Sequence, residues 1–236
     1  MRTNIPRLII CAVAFGLCRD AAAISLTSVD SFSASSEGWG IGSNGTQPTR
    51  NAGAGFDGQA GFLNHFSDGS TANGRWLMWS EQTDWLGNYT SAGITGLTLE
   101  ADNQAGTPLA MRIAFDGPGG WFYSGAQTVT NSTGGADWTL LSYTITSGSF
   151  THVASSGGTG IFADTMSGVT RFEIFGGAGA IAYHSNGNTI EAGTSTNTLG
   201  IDNVTVVPEP STLGLLLAGC SAAALIRRRR FITAGK

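Results

Sequence analysis

Two short stretches decide the fold class: LTLEA at residues 97–101 and LAMRIAFD at residues 109–116. In both, apolar and polar residues alternate, as Leu97 and Leu99 alternate with Thr98 in the first. A period of two places the apolar side chains of a strand on one face. One apolar face and one polar face are typical of an antiparallel sheet in a two-layer sandwich.

The rest of the central region repeats this pattern without helical periodicity. Short β-type runs are separated by Gly, Ser, Thr and Asn clusters, and DGPGG at Asp116–Gly120 is typical of a hairpin turn. An all-β, two-sheet antiparallel jelly-roll sandwich of about nine strands and no helix is therefore predicted. The predicted strands lie near Ser28–Ser33, Gly61–Phe66, Arg75–Ser80, Leu97–Ala101, Leu109–Asp116, Gly120–Ser124, Trp138–Thr146, Arg171–Phe175 and Leu199–Val206.

The N-terminus has the pattern of a secretory signal peptide. An apolar run, Leu8–Leu17, follows Arg2 and Arg7, and Ala21–Ala23 supplies the small residues that a signal peptidase recognises. The run is too short to span a bilayer comfortably. Residues 1–23 are therefore predicted to be removed on export.

The C-terminus carries a four-residue motif, an apolar segment and an arginine cluster, in that order. The motif is expected to be an extended linker, because proline donates no hydrogen bond to a strand. Ser211–Ile226 has sixteen residues without a charge, which as a helix would be about 24 Å long against roughly 30 Å of hydrocarbon. The arginines would stay cytoplasmic, which leaves the domain outside. The motif is Val207, Pro208, Glu209 and Pro210, and the cluster is Arg227, Arg228, Arg229 and Arg230.

This tail resembles the PEP-CTERM sorting signal of Gram-negative bacteria. The resemblance implies recognition by an exosortase-type membrane protease, transit through the inner membrane, removal of the tail, and delivery to the cell surface or extracellular matrix, often alongside exopolysaccharide. An ordinary C-terminal anchor is the alternative. The expected organisation is a signal peptide at 1–23, a domain at 24–206 and a sorting tail at 207–236.

Short aromatic and apolar motifs follow one another along the domain. They are Phe32, Glu37–Trp39, Gly61–Leu63, Arg75–Leu77, Trp85–Gly87, Leu97–Leu99, Trp138–Tyr143 and Ile201–Val204. From Phe32 to Val206 this succession resembles the laminin B-type domain, a relative of the galactose-binding-like jelly rolls. The resemblance implies the same two-sheet architecture.

Charge and cysteine content exclude several function classes. The central domain has four arginines and no lysine against fourteen acidic residues, a net charge of −10. Such a domain repels phosphate backbones, so nucleic acid is not an expected partner. It has no cysteine, which excludes disulfides, thiolate zinc sites and a thiol nucleophile. A monomer is expected.

Three aromatic residues at predicted strand ends or loops, Trp85, Trp121 and Tyr123, are candidates for glycan contact. An exposed ring can stack on a sugar while neighbouring polar groups bind its hydroxyls, whereas core packing is the alternative. Trp76 and Trp79 lie three apart in one predicted strand, so they face opposite sides and one of them can be exposed.

Glu100 and Asp102 are the only candidates for acid–base catalysis. They lie two apart on a predicted strand and share a face, as the carboxylates of some jelly-roll glycosidases do. The third acid of that pattern is missing, because position 105 is Ala105. No enzyme is predicted, and a glycoside hydrolase is a minor alternative.

A structural calcium ion is the one cofactor that the jelly-roll resemblance implies. In galactose-binding-like relatives the ion lies near the first and last strands, which matches Asp202, with Asp30 and Glu37 as companions. Carboxylate oxygens are the ligands that calcium prefers. The alternative is that Asp202 caps a strand turn.

These features predict an exported surface or matrix protein that binds polysaccharide or mediates adhesion. A structural matrix component without a specific ligand is the main alternative. An ice-binding protein is a third, although only short pieces such as Thr194–Thr198 suggest the threonine ladder that such proteins carry.

Overall fold

The structure, a computed structural model, describes residues 24, 28–40, 47–58, 60–69, 76–132 and 137–209. The predicted signal peptide, the apolar segment, Pro210 and the four-arginine cluster lie outside these ranges. Within them, no helix is long and apolar enough to cross a bilayer.

The described part of the chain contains fifteen strands, one single-turn α-helix, α1 (Phe162–Met166), and three 3₁₀ helices at Phe56–Gly58, Thr83–Trp85 and Ala154–Ser156. The strands are β1 (Val29–Asp30), β2 (Trp39–Gly40), β3 (Thr49–Ala54), β4 (Ala60–Asp68), β5 (Trp76–Ser80), β6 (Ile94–Gly106), β7 (Leu109–Asp116), β8 (Phe122–Ser124), β9 (Gln127–Val129), β10 (Thr139–Thr144), β11 (Phe150–His152), β12 (Arg171–Gly176), β13 (Ala182–His184), β14 (Thr189–Glu191) and β15 (Thr196–Pro208).

The strands form two large antiparallel sheets and one separate hairpin. Sheet A has the order β10-β6-β15-β4-β3, with β1 also paired to β15. Sheet B has the order β11-β8-β7-β12-β5-β2, with β9 also paired to β7. Among the described residues, β13 and β14 pair only with each other. The all-β jelly-roll architecture is confirmed, and each of the nine predicted strands has a counterpart.

The core lies between the two sheets and follows the alternation in the sequence. Leu97 and Leu99 of β6 are fully buried, as are Ile113 and Phe115 of β7. Aromatic rings fill the centre, where Phe115 stacks on Phe172 with ring centroids 5.2 Å apart. Such pairs contribute about 0.5–1.5 kcal/mol beyond the burial of their area.

Two expectations need correction. The prediction of no helix is wrong at α1, a turn too short to show a helical period in the sequence. The expectation that the motif forms a linker outside the sheet is wrong for Val207 and Pro208, which are the last residues of β15. Proline is tolerated there because the pairing with β6 shifts register between these two residues.

Candidate functional site

The outer face of sheet B is the candidate site, because it brings half-buried aromatic rings together with hydrogen-bonding side chains. The strand register places Trp79, Glu173, Ala114 and Tyr123 in one row across β5, β12, β7 and β8. Trp79 and Tyr123 are half-buried at its two ends. Three strand spacings separate them, about 14 Å.

The β13–β14 hairpin lies against the middle of this face. Glu173 and Ala114, in the middle of the row, are both 0% exposed. The backbone amide of Ile190 in β14 donates to Oε2 of Glu173 at 3.4 Å. The hairpin therefore covers the centre of the row and leaves its ends accessible.

One asparagine, Asn188, connects the hairpin to sheet B through hydrogen bonds of its side chain. Its Oδ1 accepts hydrogen bonds from Nε1 of Trp121 at 3.1 Å and from the hydroxyl of Tyr183 at 3.2 Å. Its Nδ2 donates to Oδ2 of Asp116 at 2.8 Å. Asn188 has a φ of +46°, a conformation that asparagine tolerates better than most residues.

Arg171 ties the hairpin turn to β5. Its Nη1 donates to the carbonyls of Gly187 at 2.7 Å and Asn188 at 2.6 Å. Its Nη2 forms an ion pair with Glu81. The guanidinium carbon also lies 4.8 Å from the centre of the Trp79 ring, a cation–π contact. Arg171 therefore fixes the orientation of the Trp79 ring.

Glu173 is a fully buried carboxyl group beneath the hairpin. Burial raises its pKa well above the ordinary value, and the charges of Glu191 and Asp116 raise it too, whereas the Ile190 amide and Arg171 lower it. In the described part of the chain its Oε1 has no hydrogen-bond partner. Glu191 forms an ion pair with His184 of β13.

The glycan-contact hypothesis is wrong for two of its three residues. Trp85 and Trp121 are both 0% exposed, so neither ring is available to stack on a sugar. Trp85 packs on Phe172 with ring centroids 5.2 Å apart, and Trp121 is fastened by Asn188. Tyr123 remains half-buried on the outer face.

Sequence reasoning missed Arg171, Asn188 and Tyr183. For the outer face of sheet B, the signal available in the sequence is the spacing of Trp76 and Trp79, which places one of these two rings on the outside of the strand. The structure confirms that these two rings face opposite sides, with Trp76 1% exposed and Trp79 half-buried on the outer face.

Two of the three expected calcium ligands lie together. The carboxyl groups of Asp30 and Glu37 share a hydrogen bond, and both line a pocket of about 340 Å³ that Asp84 also lines. Oδ2 of Asp30 also accepts hydrogen bonds from the indoles of Trp39 and Trp85, each at 2.5 Å.

Asp202 has backbone partners of its own. It accepts hydrogen bonds from the amides of Phe56 at 2.9 Å and Asn203 at 2.8 Å. Its charge still raises the pKa of Glu37, after burial and Asp30. Among the described residues, no three His, Cys, Asp or Glu side chains are grouped tightly enough to hold a metal ion. The residues therefore fit a calcium ion only in part, with the carboxyl groups of Asp30 and Glu37 and without Asp202.

Glu100 and Asp102 lie in β6 of sheet A, where they pair with Asp202 and Gly200 of β15, and are 7% and 1% exposed. They therefore lie on a different sheet from the candidate site.

Comparison with known proteins identifies the tail. Residues 206–230 match the PEP-CTERM protein-sorting motif, so the chain carries that sorting signal. The comparison with curated proteins gave no match.

Several solved structures are similar to the domain at low identity. The C-terminal family 22 carbohydrate-binding module of Clostridium thermocellum Xyn10B is 12% identical, with a TM-score of 0.45 over 82% of this chain and 99% of that one. The family 11 carbohydrate-binding module of Lic26A-Cel5E from the same organism is 11% identical, with a TM-score of 0.48 over 79% and 96%. A larger xylanase 10B structure, with both a binding module and a catalytic module, is 12% identical, with a TM-score of 0.45 over 78% of this chain. This chain spans 28% of that larger structure.

Proposed function

We propose that this protein, sorted through its PEP-CTERM signal, is a non-catalytic polysaccharide-binding module of the cell surface or matrix. The observation that carries the proposal is the outer face of sheet B, where half-buried rings of Trp79 and Tyr123 flank the hairpin and Tyr183 lies on it. Exosortase processing of the tail and delivery to the surface complete the proposed route.

The chemistry of this face suits a neutral, hydroxyl-rich polymer. Aromatic rings stack on the apolar faces of sugars, and polar groups with both donors and acceptors bind hydroxyls. The hydroxyl of Tyr183 and the carboxyl group of Asp116 are polar groups of this kind, and each is hydrogen-bonded to Asn188. The wide spacing of Trp79 and Tyr123 favours an extended chain over a single sugar.

Binding of the purified exported protein to a glycan array that includes the host exopolysaccharide tests the proposal. Trp79→Ala and Tyr123→Ala should each weaken binding by about tenfold or more, because a stacked aromatic residue contributes on the order of 1–2 kcal/mol at such an interface. Phe66→Ala is the matched control, since Phe66 is 48% exposed on sheet A, away from the site.

Three outcomes would contradict the proposal. Binding that survives both substitutions would exclude this face. Absence of binding to any glycan would leave a structural matrix component as the better interpretation. Hydrolysis of a bound glycan that is lost in Glu100→Gln or Asp102→Asn would instead indicate a glycoside hydrolase.

For the structural calcium we propose the pocket that Asp30 and Glu37 line, with two carboxyl groups as its ligands. The raised pKa values of Asp30 and Glu37, caused first by burial, support a site at which a cation would relieve the cost of their negative charge. Asp202 would then stabilise the loop at Phe56 through its hydrogen bond, outside the ligand set.

A further inference from the structure

The first three residues of the sorting motif are part of the folded domain. Val207 pairs with Gly96 and Pro208 pairs with Ile94, both at the start of β6. The amide of Glu209 donates to the carbonyl of Gly93 at 2.6 Å. The Thr95 hydroxyl donates to the carbonyl of Val207 at 3.4 Å. The main chain of the motif is therefore bound along its length up to Glu209.

The side chains of β15 are buried just before the motif and exposed within it. Val206 is 3% exposed and belongs to the core, whereas Val207 is 39% exposed. Pro208 and Glu209 are also exposed. The side chains of the motif can therefore be seen from outside while its backbone groups are already bonded to β6 and Gly93.

Only one residue separates the bound residues from the uncharged stretch that follows the motif. Only Pro210 lies between Glu209 and the apolar stretch that begins at Ser211. One residue spans at most about 3.6 Å, so the connection at Pro210 is too short to let a protease draw the motif away from the sheet.

Proteases generally bind their substrates as extended chains whose backbone groups are unpaired, and folded segments are cut from locally opened states. We propose that the domain holds Val207–Glu209 as the end of β15, and that the sorting protease acts only after this strand end has separated from β6. The rate of tail processing is then set in part by how often the end of β15 opens. The inference rests on the sorting signal and is independent of polysaccharide binding.

A reversible cross-strand lock tests this. Val207 and Gly96 are strand partners, and a Cβ built on Gly96 lies 3.3 Å from Cβ of Val207, close to disulfide geometry. The double variant Gly96→Cys/Val207→Cys is made in a Cys220→Ser background, which removes the only other cysteine outside the signal peptide. Processing in the native host is followed by mass spectrometry of the C-terminus.

Processing should almost stop in the oxidised double variant and should recover when a reductant is added. Thr98→Cys/Thr205→Cys is the matched control, because it joins the same two strands at a paired position outside the motif. Equal processing rates in the locked protein and this control would overturn the proposal.

A second variant covers the case in which the cysteine pair does not fold, since a Cβ on Gly96 also lies 3.1 Å from the carbonyl oxygen of Tyr143. Four residues, Gly-Ser-Gly-Ser, are inserted between Val206 and Val207. The insertion releases the motif from β6 while it leaves the rest of β15 intact, and processing should become several-fold faster. An unchanged or slower rate would count against the proposal.

Discussion

Glu173 is an acidic residue that is 0% exposed. Its carboxyl group lies in the middle of sheet B, fully buried beneath β14, with one long hydrogen bond to Oε2 and none to Oε1 among the described residues. Burying a carboxylate in this way is costly, so the group is held in its neutral form to a higher pH than usual.

This environment predicts a specific pH dependence of stability. Because the pKa of Glu173 is raised in the folded state, its ionisation disfavours folding. The free energy of unfolding should therefore fall as the pH rises from the ordinary carboxyl value, near 4.5, through the raised folded value. Glu173→Gln should flatten this fall and make the protein more stable at neutral pH, as measured by urea unfolding between pH 4 and pH 8.

The groups that face Glu173 from β7, β12 and β14 are Asp116, Arg171 and Glu191. Two of the three are acids, so they reinforce the effect of burial. If the free energy of unfolding varies with pH in the same way in the wild type and in Glu173→Gln, this interpretation is contradicted.

At the scale of elements, the position of the hairpin on sheet B depends on side-chain contacts. In the described part of the chain, no main-chain ladder joins the hairpin to either large sheet. Asn188→Asp tests this with a nearly isosteric change. The acceptor for Trp121 and Tyr183 is kept, but the donor to Asp116 is lost and two carboxylates face each other. We expect a loss of about 1–3 kcal/mol in the free energy of unfolding at neutral pH.

The loss should shrink as the pH falls, because protonation of the introduced carboxyl restores a donor. Trp121 fluorescence during urea unfolding is a suitable readout, since its indole bonds to Asn188. Asn131→Asp, at an exposed asparagine, is the control and should change little. An equal loss of stability in both variants would show that Asn188 does not fasten the hairpin.

For the whole molecule, the dominant property is an excess of negative charge, a net −10 in the domain. Part of that charge is concentrated in the pocket of Asp30, Glu37 and Asp84. Thermal unfolding with added Ca²⁺ should give a higher Tm than in EDTA, because a ligand that binds only the folded state stabilises it.

Glu37→Gln should reduce this gain and, in EDTA at neutral pH, should raise the Tm, because it removes a carboxylate that burial and Asp30 disfavour. Asp137→Asn, at an exposed acid outside the pocket, is the control and should respond to Ca²⁺ as the wild type does. A Tm that is independent of Ca²⁺ in the wild type would rule out a structural calcium ion here.

The alternation in β6 and β7 was enough to predict an all-β sandwich, because which face a strand residue occupies depends only on its neighbours in the chain. The sorting motif was equally recognisable, since its parts are contiguous. Strands such as β13 and β14 were missed because three-residue polar segments carry no period of their own.

Which side chains of the candidate site are buried and which are accessible depends only on tertiary structure. Trp121 is buried because Asn188, 67 residues later, returns with the hairpin, and no local pattern contains that contact. Val207 and Pro208 belong to the sheet because Ile94 and Gly96, more than a hundred residues earlier, lie beside them. A sequence determines directly the features that depend on neighbouring residues. The hairpin over sheet B and the pairing of the sorting motif with β6 depend instead on residue pairs that only the folded chain brings together.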